Sequence, residues 1–191
     1  MNNSFKGLLT IASLALCLPL SAQAQSQWGE WYVAPSVIFN DGAPERRVDD
    51  GFSGFQVNFG RNFGTRYSLE GQLGYSTIDG YYRVAGAWVR DDENVLDLSA
   101  NILLHHDRDA EFDMYALGGL GYLSYQYNVN GGEENRPSAT LGFGIKWQPS
   151  WADRLALRTE ARYRLGYEQD YHFHDYVVGI GVQWSFGAAT R

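Results

Sequence analysis

Residues 155–165 read Leu155-Ala156-Leu157-Arg158-Thr159-Glu160-Ala161-Arg162-Tyr163-Arg164-Leu165. Neighbouring side chains of a β-strand point to opposite faces, so an extended chain sorts these residues into two unlike surfaces. One collects Leu155, Leu157, Thr159, Ala161, Tyr163 and Leu165; the other collects Ala156, Arg158, Glu160, Arg162 and Arg164. A soluble β protein buries its apolar face and turns Lys, Glu and Thr to water. A membrane barrel does the reverse, and the period alone does not separate the two.

The remaining segments do. Trp31, Val33, Pro35, Val37 and Phe39 alternate with Tyr32, Ala34, Ser36 and Ile38. Phe55, Val57 and Phe59 alternate with Gly54, Gln56, Asn58 and Gly60, and Tyr67, Leu69, Gly71, Leu73 and Tyr75 with Ser68, Glu70, Gln72 and Gly74. Leu96, Leu98, Ala100, Ile102 and Leu104 stand against Asp97, Ser99, Asn101 and Leu103. A fifth segment, residues 114–126, is glycine-rich and its faces are harder to assign. In the sixth, Ala139, Leu141, Phe143, Ile145 and Trp147 oppose Thr140, Gly142, Gly144 and Lys146. In the last, Tyr176, Val178, Ile180, Val182, Trp184 and Phe186 oppose Val177, Gly179, Gly181, Gln183 and Ser185. The second face is glycine and amide, with ionised residues gathered late. Each segment runs about ten residues, which is what a tilted strand needs to cross the hydrocarbon core. The pattern predicts an all-β fold: an eight-stranded antiparallel transmembrane up-and-down β-barrel.

Connections point the same way. Long links at residues 40–51, 76–95, 127–137 and 166–175 alternate with shorter ones at 61–66, 105–112 and 148–154. Outer-membrane barrels have tight periplasmic turns and longer outside loops, and an even strand count leaves both chain ends in the periplasm. Trp31, Phe39, Tyr75, Trp147, Tyr163, Trp184 and Phe186 fall near segment ends on the apolar face, where amphipathic rings meet the headgroups. Pro35 removes a ladder donor in mid-strand, so irregular geometry is expected in the first strand.

Composition excludes other classes. The 191 residues include 22 acids against 15 Lys and Arg, a net charge of −7, which argues against a nucleic-acid binder because phosphate affinity rests on a cationic excess. Only the N-terminus holds an unbroken apolar stretch, which excludes a bundle of membrane helices of about 20 apolar residues each. At 45% hydrophobic and 15% aromatic the chain is too apolar for intrinsic disorder, and its length suits one domain. Residues 1–24 read as a secretory signal, with Lys6 in the head, an apolar run over 8–20 and the cleavage site Ala22-Gln23-Ala24. Residues 25–191 remain as the barrel domain. Cys17 lies within the signal, so the mature chain is expected to carry no disulfide, thiolate or cysteine zinc site.

Several of these segments resemble the eight-stranded membrane domain of the OmpA family. Trp31-Tyr32-Val33-Ala34 is similar to its first strand, Gly54-Phe55-Gln56-Val57-Asn58 to the second and Leu69-Glu70 to the third. Asp113-Met114-Tyr115 with Leu117-Gly118-Gly119 resembles the fifth, and Arg158-Thr159-Glu160 the seventh. Gly181-Val182-Gln183-Trp184-Ser185-Phe186-Gly187 is similar to the closing strand, with Gly181, Trp184 and Phe186 as an assembly signal of the aromatic-x-aromatic kind. The resemblance implies a cell outer-membrane location, contact with outer-membrane lipids and lipopolysaccharide, insertion by the barrel-assembly machinery, and a monomer. Larger family members continue into a peptidoglycan-binding domain; with Phe186 close to the final Arg191, tethering by such a domain is not expected.

If the register is right, Glu70, Asp97 and Lys146 share the enclosed face with Arg158, Glu160, Arg162 and Arg164. An eight-stranded barrel is just wide enough for side chains to fill, and ionised groups inside it are costly unless paired. Four cations against three anions predict a cross-barrel salt-bridge network plugging the lumen, as the resemblance also implies. The alternative is a gated ion path in which the pairs exchange partners.

No catalytic, cofactor-binding or metal-binding set is expected. His172, His174 and Asp175 read as a solvated outside loop, not as a lipid-modifying His/Ser pair or a metal site completed by Glu168 or Asp170. The run from His105, His106 and Asp107 to Asp113 spaces acids like a calcium loop, but Gly118 stands where a bidentate Glu belongs; it reads as a hydrated periplasmic turn. Asp49, Asp50, Asp91, Asp92 and Glu93 are expected in outside loops, and Gly118-Gly119-Leu120-Gly121 lacks the helix of a phosphate-binding loop. The leading function is a non-enzymatic integral barrel serving membrane integrity or surface interactions. A narrow pore, a lipid A-modifying enzyme and an adhesin or defence role stay open.

Overall fold

A computed structural model describes residues 28–42, 51–64, 66–84, 87–108, 110–127, 132–152, 154–167 and 172–187. They form eight strands: β1 Trp28–Gly42, β2 Gly51–Phe63, β3 Tyr67–Val84, β4 Ala87–His105, β5 Phe112–Tyr127, β6 Glu133–Trp147, β7 Leu155–Tyr167 and β8 His172–Phe186. Each pairs antiparallel with the next, and β8 returns to β1 to close the barrel. Closure leaves no unpaired sheet edge, a condition for β-structure in lipid. The start of β1 and the end of β8 share one rim, here the terminal end; the opposite rim is the distal end. Residues 1–24, expected to be a secretory signal, lie outside the described residues.

The alternation turns out apolar side chains and turns in polar ones. Phe55, Val57 and Phe59 are exposed while Gln56 and Asn58 between them are buried. β5, whose faces the sequence leaves open, turns Asp113, Tyr115, Leu117, Leu123 and Tyr125 inward and Phe112, Met114 and Leu120 outward. Among the described residues two small apolar clusters interrupt the polar interior, Val95 with Leu123 and Tyr125, and Leu103 with Tyr115 and Leu117, besides buried Ile38 and Val177.

The strands are longer than the sequence segments. β3 and β4 run 18 and 19 residues and stay in register from Tyr67↔Leu104 to Val84↔Ala87. The supposed long link at 76–95 is therefore a strand hairpin, and Asp91, Asp92 and Glu93 stand on β4 and not in a loop. The other long links shorten for the same reason: Asn40 belongs to β1, Tyr127 to β5, Gly166 to β7, and His172, His174 and Asp175 to β8. Inter-strand hydrogen bonds continue past the apolar band wherever the register does. Asp49, Asp50, Glu168 and Asp170 lie outside the described residues.

Pro35 also departs from expectation. It sits opposite Val57 in regular register, and the shifts of the β1–β2 ladder fall between Trp28 and Trp31 and between Ile38 and Phe39. Toward β8 the pairing runs through Val33 and resumes at Ser36 in the same register, so the missing N–H causes no bulge there.

Candidate functional site

Among the described residues most of the lumen's charge lies in three tiers, with buried Arg136 apart from them, paired with Glu134 and 5.0 Å over the Tyr125 ring. In the central tier Tyr32, Gly60 and Glu70 are neighbours across β1, β2 and β3, and Tyr115, Gly144 and Glu160 repeat that order across β5, β6 and β7. Each tyrosine ring lies over its glycine, and its hydroxyl reaches the carboxylate one strand further on. Tyr32 Oη donates to Glu70 at 3.0 Å and Tyr115 Oη to Glu160 at 2.6 Å. Two arginines from β7 join the halves. Arg158 pairs with Glu70 at 2.6 Å and with Glu160, and Arg162 pairs with Glu160 and lies 3.5 Å from Glu70. None of the four is more than 5% exposed. A neutral quartet with charge-assisted hydrogen bonds is the form in which buried charge is tolerated.

In the distal tier Arg164 holds Asp97 at 3.0 Å and Asp175 at 3.1 Å, and Gln72 donates to Asp97 at 3.0 Å. A cavity of about 10 Å³ separates the two tiers, walled by Gln56, Gln72, Asp97, Thr140, Arg162 and Arg164 among others. Asp97 Oδ1, Arg162 Nη1 and Arg164 Nε have no protein partner. A space of that size admits about one water, and these walls supply both donors and an acceptor.

In the terminal tier Asp113 accepts from His105 Nδ1 at 2.6 Å and lies 3.6 Å from Lys146 Nζ, which donates to the Arg108 carbonyl at 2.9 Å. His105 Nε2 is 2.9 Å from Ser68 Oγ, and Ser68 donates to Asn62 Oδ1 at 2.7 Å. Serine, imidazole and carboxylate have the spacing of a nucleophile, a base and its orienting acid. Ser68 is fully buried, however, and its single proton is committed to Asn62, so the set offers no accessible nucleophile.

The seven charged residues expected in the lumen are all buried, in three groups. Glu70, Arg158, Glu160 and Arg162 meet in the centre, Asp97 meets Arg164, and Lys146 stands apart with Asp113. Sequence reasoning misses Asp113, His105, Asp175 and, in the expected 127–137 link, Arg136 as lumen residues. The first two leave the expected periplasmic turn for strand ends, and Asp175 leaves the expected outside loop; the signal was parity, since Asp113 shares it with Tyr115 and Asp175 with Val177. His174 instead stacks on Tyr163 with centroids 6.1 Å apart.

On β8, a β-carbon at Gly181 would come within 2.2 Å of the Pro35 carbonyl oxygen. Trp184 and Phe186 pack at 5.9 Å, and Phe186 reaches Phe59 at 6.3 Å, across the closing seam. Outside, Phe112 stacks on Trp147 at 6.0 Å and Phe63 on Tyr67 at 5.9 Å at the terminal rim, while Tyr163 and Tyr176 pack at 5.3 Å toward the distal one. Exposed Leu120 and Leu141 belong to the apolar band between these aromatic girdles.

The sequence profile of the outer membrane protein beta-barrel domain matches residues 10–186. The chain belongs to that outer-membrane family. This outer-membrane barrel is similar in fold to the neisserial surface protein A, at TM-score 0.57 and 14% identity over 82% of this chain and 97% of that one. It is also similar to a major outer membrane protein of Thermus thermophilus, at TM-score 0.52 and 13% identity over 81% and 99% of the two chains. Ail of Yersinia pestis in a phospholipid nanodisc gives TM-score 0.50 and 14% identity over 83% and 99%. No functionally curated relative matches in sequence.

Proposed function

We propose that this outer-membrane barrel is non-enzymatic, that ion pairs plug its lumen, and that it serves membrane integrity or surface contacts and not solute passage. The observation that carries this reading is the Arg158–Arg162–Glu70–Glu160 quartet. It joins β3 to β7, four places apart in a ring of eight strands, so it spans the full width of the lumen. Both chain ends then face the periplasm, the girdles meet outer-membrane lipids and lipopolysaccharide, and the closing strand with Gly181, Trp184 and Phe186 carries the signal for the assembly machinery.

The test is the current through refolded protein in a planar bilayer. Traces without large, stable openings are expected; a large, steady conductance refutes the plug. One observation favours a narrow pore as a second reading: the inter-tier cavity with its unpartnered polar atoms. That reading requires small, resolved openings in the same traces.

A further inference from the structure

We propose that Arg61 and Trp31 bind the headgroup phosphate of an anionic phospholipid at the terminal end of the closing seam, with the acyl chains of that lipid on an aromatic shelf beside them. The site rests on the reading above that the terminal girdle meets lipid on the periplasmic side. From one girdle to the other the outward faces are apolar, and among the described residues Arg61 is the one ionised side chain on them. On β2 it continues the outward run of Phe55, Val57 and Phe59; it is half-buried, while Gly60 and Asn62 on either side of it are buried. A charge on this wall is most costly at the bilayer midplane and least costly at the interface, where a headgroup can meet it.

Trp31 stands opposite Arg61 on one side and opposite Phe186 on the other, so the three form one row across β2, β1 and β8. The guanidinium carbon of Arg61 lies 4.7 Å from the Trp31 ring centroid. A cation–π contact uses the flat face of a guanidinium, whereas its N–H groups radiate in the plane and meet a phosphate two at a time. The stack therefore holds the donor edge without competing for the anion. Phe59 stacks on Trp31 at 5.1 Å and reaches Phe186 at 6.3 Å, and Phe186 packs on Trp184 at 5.9 Å. Phe59 and Trp184 flank Val33 one row nearer the middle of the barrel, and both are exposed. A cation at the rim with an aromatic shelf on its inner side matches a phospholipid, whose phosphate lies at the surface and whose hydrocarbon lies deeper.

The charge selects among headgroups. Choline and ethanolamine carry a cation of their own beside the phosphate, which the guanidinium repels; a glycerol headgroup leaves the phosphate's charge uncompensated. Lipid A also offers phosphates, but with both chain ends in the periplasm the terminal rim faces the phospholipid leaflet. A lipid held this way lies across β2, β1 and β8 and covers the ladder that closes the barrel.

The test uses the refolded full chain in detergent micelles, supplied in turn with phosphatidylglycerol, phosphatidylcholine of the same acyl chains, and lipid A, with retained lipid read by native mass spectrometry. Phosphatidylglycerol is expected to be retained about fivefold more than phosphatidylcholine, the scale of one arginine at an anionic membrane surface. Arg61→Gln should abolish that preference, while Arg66→Gln, at an exposed position in the β2–β3 turn, should keep it. Equal retention of the two phospholipids, or the same loss in both variants, overturns the site. Preference for lipid A overturns it as well, and with it the periplasmic placing of the terminal rim. If Arg61→Gln does not refold, phosphatidylglycerol with a photoreactive headgroup decides on the wild-type chain: cross-links at residues 31 and 59–63 support the site, and cross-links spread evenly around the rim overturn it.

Discussion

The ring of Tyr115 fills the place where a side chain on Gly144 would stand, coming within 2.3 Å of the position its β-carbon would take. Tyr32 does the same to Gly60 at 2.2 Å. These glycines are required by close approach and not by backbone conformation. Gly144→Ala must displace the ring, and with it the hydrogen bond to Glu160 and the contact with Arg158. Overpacking of this kind costs about 1–3 kcal/mol. Gly74 is the internal control, because a β-carbon there would meet Asp97 Cβ at an ordinary 3.5 Å. Urea unfolding in micelles should show a clear loss for Gly144→Ala and Gly60→Ala and a much smaller one for Gly74→Ala. Equal losses at all three would contradict the packing argument.

Glu160 balances two arginines at once. Glu160→Ala leaves Arg158 and Arg162 to share Glu70, with one cation uncompensated in a closed interior. Breaking a buried pair by removing one partner costs about 3–5 kcal/mol. Removing Arg162 as well restores one cation to one anion, so Glu160→Ala/Arg162→Ala should unfold at higher urea than Glu160→Ala alone. A double variant no more stable than the single one would mean that charge balance is not what the site supplies.

The period of two was legible because lipid and lumen differ so sharply in polarity: Leu141 and Phe143 face out, Thr140 and Lys146 face in, and the sequence alternates accordingly. What it hid lies at strand ends. Asp175 sits among His172, Phe173 and His174, a composition that suits a loop as well as a strand. It is strand because Arg164 on β7 and Gly42 on β1 face it across two ladders. Asp113 follows a turn rich in charge and reads locally as part of it, yet its partner Lys146 across the β5–β6 ladder makes it the foot of β5. Where a strand stops depends on its neighbours' register, which one segment's composition does not contain. The pairing of Tyr115 with Gly144 was hidden for the same reason.

Removing the cations should turn the plug into a selective path. In Arg162→Ser/Arg164→Ser the central and distal tiers keep Glu70, Glu160, Asp97 and Asp175 against Arg158, and the inter-tier cavity widens. Planar-bilayer recordings should then show openings absent from the wild-type protein, with a reversal potential in a salt gradient that favours cations. Anion preference, or no openings at all, would show that these two arginines do not hold the lumen shut.

The outer wall offers a test of the lipid face. Leu120 is 73% exposed and pairs with Ala100 and Ala139 on either side. Placing a charge there sets it against hydrocarbon, and Leu120→Arg should cost about 2–4 kcal/mol in bilayers if it lies near the midplane. Unfolding from lipid vesicles measures the loss. An unchanged unfolding free energy would place Leu120 away from the lipid.

Gly181 stands at the seam that makes the sheet a barrel. It pairs with Ser36 in the β1–β8 ladder, and any side chain would meet the Pro35 carbonyl oxygen at 2.2 Å and Ser36 Oγ at 2.3 Å. A serine hydroxyl can rotate away, but a ladder carbonyl moves only if the strands part. Gly181→Val should therefore keep β1 and β8 from closing, whereas Gly179→Ala, whose β-carbon would meet Ile38 Cγ2 at 3.7 Å, should be tolerated. Unassisted refolding in detergent separates this packing role from recognition by an assembly machine, since no machine is present. The expected result is loss of the band that resists SDS until boiling for Gly181→Val alone. A Gly181→Val protein that refolds in detergent but fails to assemble in cells would move the requirement from the seam to the assembly signal.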